Sequence, residues 1–271
     1  MQFEAFFSSF GIESYAVADI KNITLTKSEL LAREDFVPRS VILFLVPYYT
    51  LTPKNISRYA ASLDYHIIIK TIGEGVMEAL REDFPDAKMK VYGDHSPIDE
   101  RHAALTHGLG ILGDNGLLIN ETYGSYIFIG DIVCDIPPEK LGAREPDEIR
   151  FCHHCGACKR ACPTGVLRGE SDACLSAITQ RKGELAPWES EMMRRYHTAW
   201  GCDLCQCVCP HNKNPKKTPI DLFYSDVIEE LTMEGLSAMT KEEFQRRAFA
   251  WRGRRVLERN LEILENDTDC K

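Results

Sequence analysis

Eight of the chain's eleven cysteines stand at spacings suited to iron–sulfur chemistry. Cys152, Cys155, Cys158 and Cys162, followed by Pro163, form a C-x2-C-x2-C-x3-C-P run. Cys202, Cys205 and Cys209, with Pro210, form a second block, and Cys174 stands between the two. Thiolates are soft ligands, and three on one tight loop can hold three corners of a cubane cluster. In ferredoxins with two clusters the fourth cysteine of such a run reaches to the other cluster. That rule gives Cys152, Cys155, Cys158 and Cys209 to one [4Fe–4S] cluster, and Cys162, Cys174, Cys202 and Cys205 to a second. Structural zinc favours separated C-x2-C pairs and suits this triplet poorly. Cys207 yields to Cys209 on spacing. Cys134 lies in an apolar run and reads as a small buried hydrophobe. Cys270 falls in the last residues, where fraying is expected.

The rest of the composition limits where such chemistry sits. The N-terminal MQFEAFFSSFGIESY lacks a basic n-region and a long apolar core, so no export signal is expected. Disulfides need an oxidising compartment. The expectation is therefore a reducing cytoplasm with metal-bound thiolates. No apolar stretch is long enough to span a membrane, so no membrane partner is expected. The net charge of −9 argues against broad, non-specific nucleic-acid binding, which depends on phosphate neutralisation. A 271-residue chain with 44% hydrophobic residues can form one large domain or two modest ones.

Ahead of the cysteines the pattern is α/β. A short helix and turn over 3–16 precede the strand-like AVADI, and Ser28 is placed to cap SELLARED. Val41–Val46 (VILFLV) is wholly apolar and reads as a central strand buried on both faces. Ile68, Ile72, Val76 and Leu80 share a helical face, with Tyr59, Asp64, Tyr65 and His66 near its start. The Asp64-x-His66 pair resembles the opening of the D-x-H-x-x-G signature for histidine-ligated cobalamin. Residue 69 is Ile where that signature needs glycine, so His66 is not read as a cobalt ligand. KMKVY (88–92) alternates as a strand, and Ser96-Pro97 reads as a helix start. Asp94 thus falls in a strand-to-helix turn, where α/β sheets display functional groups.

Residues 108–113, Gly-Leu-Gly-Ile-Leu-Gly, match the dinucleotide fingerprint letter for letter but in the wrong setting. A helical stretch precedes them and a strand (LLIN) follows, the reverse of what that fingerprint requires. They read as a loop where backbone can approach a bulky ligand, or as a plain chain reversal. YGSYIFIGDIV adds a strand, and a Pro- and charge-rich stretch over 136–150 marks a boundary. In the tail, Thr240 and Glu243 form a capping box. Phe244, Ala248 and Trp251 share one face there, and Leu257, Leu261 and Leu264 another. Arg246, Arg247, Arg252, Arg254, Arg255 and Arg259 form the one basic cluster, read as a solvated face or a phosphate contact. The boundaries expected are 1–149 for an α/β domain, 150–215 for a ferredoxin-like double-cluster module, and 216–271 for C-terminal helices.

These stretches together resemble the cobalamin- and iron–sulfur-dependent epoxyqueuosine reductases. The resemblance runs through ISRYA, DYH, GD-x-x-P-x-x-ER, HGLG-x-x-G-x-N and YGS. It continues in CPTG, the C-L-S-x-x-T-Q-x-K-G run, G-C-D-x-C-Q-x-V-C-P and the tail's EEFQRR and RGRR. It implies two [4Fe–4S] clusters, base-off cobalamin with no protein histidine on cobalt, and a low-potential donor such as flavodoxin or ferredoxin. The implied reaction reduces epoxyqueuosine to queuosine at the tRNA wobble position, and the implied catalytic acid is Asp94. An opened epoxide leaves an alkoxide that needs a proton, which an acid within hydrogen-bond reach supplies. By the same resemblance Arg58, Gly108, Gly110, Gly113, Ser176, Lys182 and Asp203 line the corrinoid or substrate pocket.

The chain departs from the family in places. Ser62 and Leu63 precede DYH where a glycine and a basic residue are usual. Ile111, Leu112 and Asp114 replace an aromatic, an aliphatic and a lysine of the glycine loop. The family's additional C-terminal helical-repeat domain is not matched, so the resemblance is to a short form. The alternatives are a corrinoid-dependent reductase of a small electrophile, or a two-cluster electron-transfer protein without corrinoid. A zinc-stabilised RNA-binding module is more distant.

Overall fold

A computed structural model describes residues 2–265, so Cys270 lies outside the described residues. The chain divides into two compact units whose segments interleave in sequence. One comprises residues 1–48, 65–154 and 215–220, the other 49–64, 155–214 and 221–271.

The first unit is built on a four-stranded sheet. Its elements are α1 (Gln2–Ser9), β1 (Tyr15–Asp19), α2 (Ser28–Leu31), β2 (Ser40–Pro47), α3 (Tyr65–Asp83), β3 (Met89–Gly93), α4 (Glu100–Thr106), β4 (Ile111–Leu112), β5 (Leu118–Ile119) and β6 (Ile127–Cys134). The strand order is β1-β2-β6-β3, and every pairing is antiparallel. β2 is buried at all eight positions, as its unbroken apolar run requires. That pattern reports cover on both faces and not strand direction. On one face Phe44 meets Phe7 of α1, with ring centroids 5.3 Å apart, and the apolar stripe Ile68, Ile72, Val76, Leu80 of α3 is buried. On the other face Val41, Leu43, Leu45 and Val133 form a core with Ala103, Ala104 and Leu105 of α4 and Leu118 of β5.

Two expected caps are corrected. Ser28 is the first residue inside α2, whose N-cap is Lys27, and makes no cap bond. The cap of α4 is Asp99, whose carboxylate accepts the His102 N–H at 2.9 Å. Pro97 locks φ but stands two residues short of the helix, so Ser96 instead turns its hydroxyl oxygen to the Ile98 N–H at 3.3 Å.

The second unit holds α5 (Ala157–Ala161), α6 (Leu175–Thr179), α7 (Pro187–Arg195), α8 (Leu204–Cys207), α9 (Met233–Ala238), α10 (Lys241–Gln245) and α11 (Arg254–Glu265), with no sheet among the described residues. Its helices are short, and their order comes from tertiary contacts rather than propensity. Trp200 is fully buried against Phe249 and donates its indole N–H to the Tyr59 hydroxyl at 2.8 Å. Asn260 of α11, fully buried, donates to the carbonyls of Thr179 and Ala199, both at 2.7 Å. The capping box of Thr240 and Glu243 forms with both bonds. Phe244 and Ala248 are buried as expected of their shared face, whereas Trp251 is 61% exposed, with the Arg252 guanidinium 3.7 Å over its ring. Leu257, Leu261 and Leu264 are buried.

Candidate functional site

In the first unit Asp94 follows β3 at φ +61°, a left-handed conformation that Asp tolerates better than most residues. Its side chain is exposed. Tyr65, the first residue of α3, donates its hydroxyl to Asp94 Oδ2 at 2.8 Å, and its ring stacks on Phe128 at 4.0 Å between centroids. His66 Nε2 stands 3.8 Å from the same carboxylate oxygen. A cavity of about 480 Å³ opens beside this turn, lined by Asp94, Ser96, Glu100, Leu118, Ser125 and Phe128 among others. That volume lies in the range of small-molecule sites.

Two further acids stand on this side of the sheet. Asp131 of β6 is fully buried, opposite Leu43 of β2 and Tyr92 of β3 in register. Neither of its oxygens meets a donor at hydrogen-bonding geometry; the Ser96 hydroxyl lies nearby. Burial pushes its carboxyl up to about 7. Glu100 opens α4 with Oε2 buried and unpartnered, while its carboxyl accepts the Asp94 backbone N–H. Burial first, then the charges of Asp131 and Asp94, push Glu100 up to about 8. Tyr65, Glu100 and Asp131 are the residues that sequence reasoning passed over. The Glu-Arg of GD-x-x-P-x-x-ER was in view as a motif without a role. An acid in the otherwise apolar IFIGDIVC strand was the one available signal for Asp131.

The glycine loop is a hairpin of β4 and β5 that follows α4, so the dinucleotide fingerprint is excluded. A Cβ at Gly110 would fall 2.5 Å from the Ile119 carbonyl oxygen, and one at Gly113 would meet Asn115 and Ile119 at 2.5 and 2.9 Å. Both glycines are accounted for by the hairpin's own closure. Gly108, at φ +77°, has nothing within 4 Å of where a Cβ would stand. Arg101 donates to the Gly116 carbonyl at 2.7 Å and ties α4 to the hairpin. The hairpin also carries the start of the cysteine run. Leu112 donates its N–H to Arg150 O at 2.8 Å and accepts the Cys152 N–H at 3.0 Å. Asp114 Oδ1 meets His154 Nδ1 at 2.7 Å, with Cys152 beside the pair.

In the second unit none of Cys155, Cys158, Cys162, Cys174, Cys202, Cys205 and Cys209 is in a disulfide, and Cys158 and Cys162 are buried. Burial pushes Cys202 up to about 12, and Cys174 and Cys205 stand close enough to add to the rise. Cys174 and Cys205 thus both lie within electrostatic reach of Cys202. Around Cys162 burial acts upward, but the backbone N–H groups of Leu167, Gly165 and Thr164 and the Thr164 hydroxyl outweigh it and hold the thiol low. Such N–H···S bonds tune iron–sulfur centres. Asp203 is held by the Arg58 backbone N–H at 2.8 Å, by Arg58 Nη1 at 3.1 Å and by the Ser57 hydroxyl. Arg58 Nη1 also reaches Cys207 Sγ at 3.2 Å. Two residues expected at a cofactor pocket are thus partners of each other, both about nine-tenths buried. Ser176 accepts from Gln180 at 3.2 Å, and Lys182 is exposed.

No helix among the described residues is long and apolar enough to cross a membrane. The model of a 4Fe-4S double cluster binding domain matches residues 151–212, which cover all eight expected ligands. An epoxyqueuosine reductase of Synechocystis sp. is 33% identical over 236 residues, spanning 80% of this chain and 78% of that protein. The one of Cyclobacterium marinum is 29% identical over 246 residues, spanning 84% and 77%. Among solved structures, epoxyqueuosine reductase with an epoxyqueuosine-modified tRNA-Tyr stem loop superposes with a TM-score of 0.76 at 21% identity, covering 97% of this chain and 79% of that one. Relatives differ in length: the chain spans 78% of the Synechocystis protein and 44% of one from Aliivibrio fischeri.

Proposed function

The chain belongs to the epoxyqueuosine reductase family, and from that premise we propose that it reduces epoxyqueuosine to queuosine in tRNA, with Asp94 as acid. The observation that carries this reading is the acid cavity: a carboxylate fixed by Tyr65 at the mouth of a 480 Å³ space, in a chain that also carries a double-cluster domain. A bare electron carrier has no use for that cavity. Cys152, Cys155, Cys158 and Cys209 are proposed to hold one [4Fe–4S] cluster, and Cys162, Cys174, Cys202 and Cys205 the other.

A corrinoid is proposed to lie against Gly108, whose exposed backbone at φ +77° carries no side chain to obstruct a bulky ligand. Arg58 and Asp203, already paired with each other, and Ser176 and Lys182 are proposed as cofactor contacts on the family resemblance alone. Bound cobalamin supplies a low-valent cobalt centre, a strong nucleophile and reductant. Everything else is asked of the protein. Phe128 and Leu118 give the cavity apolar walls, and Tyr65 orients Asp94. Asp94 delivers a proton to the oxygen released from the epoxide. A tRNA substrate implies the cytoplasm, and the electrons are assigned to a low-potential carrier of the flavodoxin or ferredoxin class.

The test is anaerobic reconstitution with iron, sulfide and cobalamin, then assay on epoxyqueuosine-bearing tRNA. About eight irons, retained base-off cobalamin and turnover lost in Asp94→Ala are expected. Iron without retained cobalamin would sink the reading.

A further inference from the structure

The reaction just proposed removes an epoxide oxygen as water. Both C–O bonds break, a C=C bond forms, two electrons enter from the low-potential carrier, and the oxygen leaves with two protons. One acid supplies one of them. We propose that Glu100 is the second acid of the cavity and supplies the proton that completes the departing water. This rests on the functional reading above.

Three observations place Glu100 in that role. It lines the same cavity as Asp94, and its carboxyl is fastened to the Asp94 backbone N–H, so the two acids share one turn of chain. Its Oε2 is buried and unpartnered, a state that suits a protonated carboxyl and costs an ionised one several kcal/mol. Asp131, fully buried on β6, has neither oxygen at full hydrogen-bonding geometry, only the Ser96 hydroxyl nearby, and no cation among its described contacts. The charge of Asp131 disfavours ionisation of Glu100.

The charged groups around Glu100 pull in opposite directions. Asp131 from β6 and Asp94 from the turn favour its protonated form, and Lys27, ahead of α2, opposes them. Tyr92 of β3 stands across from Asp131, with its own hydroxyl raised chiefly by burial and then by Glu34. Arg101, next in α4, is spent on the Gly116 carbonyl. Burial and the two acids prevail, which holds Glu100 up at about 8. An acid of that strength is protonated at neutral pH and still gives its proton to an alkoxide or a departing hydroxyl. Each turnover then ends with Asp94 and Glu100 ionised, and solvent at the cavity mouth returns both protons.

The experiment uses the full chain with its clusters intact, under anaerobic conditions, in two measurements. Infrared pH-difference spectra should show a protonated-carboxyl band that titrates near 8, is absent in Glu100→Gln, returns in Glu100→Asp, and moves to lower pH in Asp131→Asn. On epoxyqueuosine-bearing tRNA, wild-type turnover should fall as pH rises through about 8. Glu100→Gln should be about a hundredfold slower at neutral pH with little change in KM and should lose that limb. Glu100→Asp should recover part of the rate, which separates lost chemistry from lost fold. A band titrating in the ordinary carboxylate range, or a Glu100→Gln chain as fast as wild type at every pH, overturns this inference alone. A wild-type chain inert toward that tRNA overturns the functional reading and this inference with it.

Discussion

The Tyr65 hydroxyl donates to Asp94 Oδ2 at 2.8 Å while the Tyr65 ring lies flat on Phe128, so the first residue of α3 fixes the acid that follows β3. Asp94 is exposed and sits at φ +61°, and Tyr65 is what selects its rotamer. Tyr65→Phe keeps the stack and removes the bond. A net hydrogen bond is worth about 0.5–1.5 kcal/mol, so turnover is expected to fall about twofold to tenfold at saturating tRNA. An unchanged kcat would detach Tyr65 from the chemistry.

Asp94→Asn preserves shape and removes the proton. Loss of a positioned general acid costs about 10²–10⁴ in rate. Iron content and thermal unfolding of this variant are expected to match wild type, because the side chain is exposed. A folded, fully loaded Asp94→Asn chain that still turns over would reassign the acid.

Arg58 and Asp203 form a pair with side chains 10% and 9% exposed. Removing one partner of a buried pair costs about 3–5 kcal/mol, whereas replacing both with apolar groups is far milder. Asp203→Leu is therefore expected to lower the denaturant midpoint sharply, and Arg58→Met with Asp203→Leu to recover most of it. Additive losses in the double variant would show that the two residues act separately.

Cluster ligands and bystanders separate by iron analysis. Cys158→Ser and Cys202→Ser should each take bound iron from about eight to about four per chain. Cys207→Ser should leave it unchanged. Cys134, fully buried and pushed up to about 12 chiefly by burial, should resist alkylation in the native chain. Full iron in Cys202→Ser would displace it from the ligand set.

Stability should decline toward alkaline pH. Glu100 and Asp131 bind their protons more tightly folded than unfolded, so their contributions are complete below about 4. They are lost as pH rises through about 7 for Asp131 and about 8 for Glu100. Chemical denaturation of the cluster-loaded chain at a series of pH values should show that slope, flattened in Glu100→Gln and in Asp131→Asn. A slope that survives both substitutions would move its origin elsewhere.

The features legible in the sequence were those whose cause is local. Cysteine spacing announced the clusters, the 3.6-residue stripe of Ile68, Ile72, Val76 and Leu80 gave α3, and Thr240 with Glu243 gave the cap of α10. Asp94 was legible as a turn residue. Less visible were relations set by register and packing. Ser96-Pro97 carries strong helix-start chemistry, yet Asp99 three residues on takes the cap. Gly110 and Gly113 read equally well as ligand contacts or as closure, and only the position of Ile119 shows the closure. Asp131 stands opposite Leu43 and Tyr92 because β6 lies between β2 and β3, an order that no stretch of sequence states.

The β4–β5 hairpin carries a consequence for how this chain tolerates change. Its tip, Gly116 to Leu118, forms one wall of the acid cavity, while Leu112 at its base holds the backbone of Cys152. The hairpin, residues 111–119, thus serves as a common jig for a proton-handling surface and for the first thiolate of the cysteine run. An insertion or a bulky replacement at Gly110 or Gly113 would misalign both at once. Substrate range and cluster retention are therefore expected to drift together in this lineage, and an engineer reshaping the cavity from this wall would be retuning the cluster unawares.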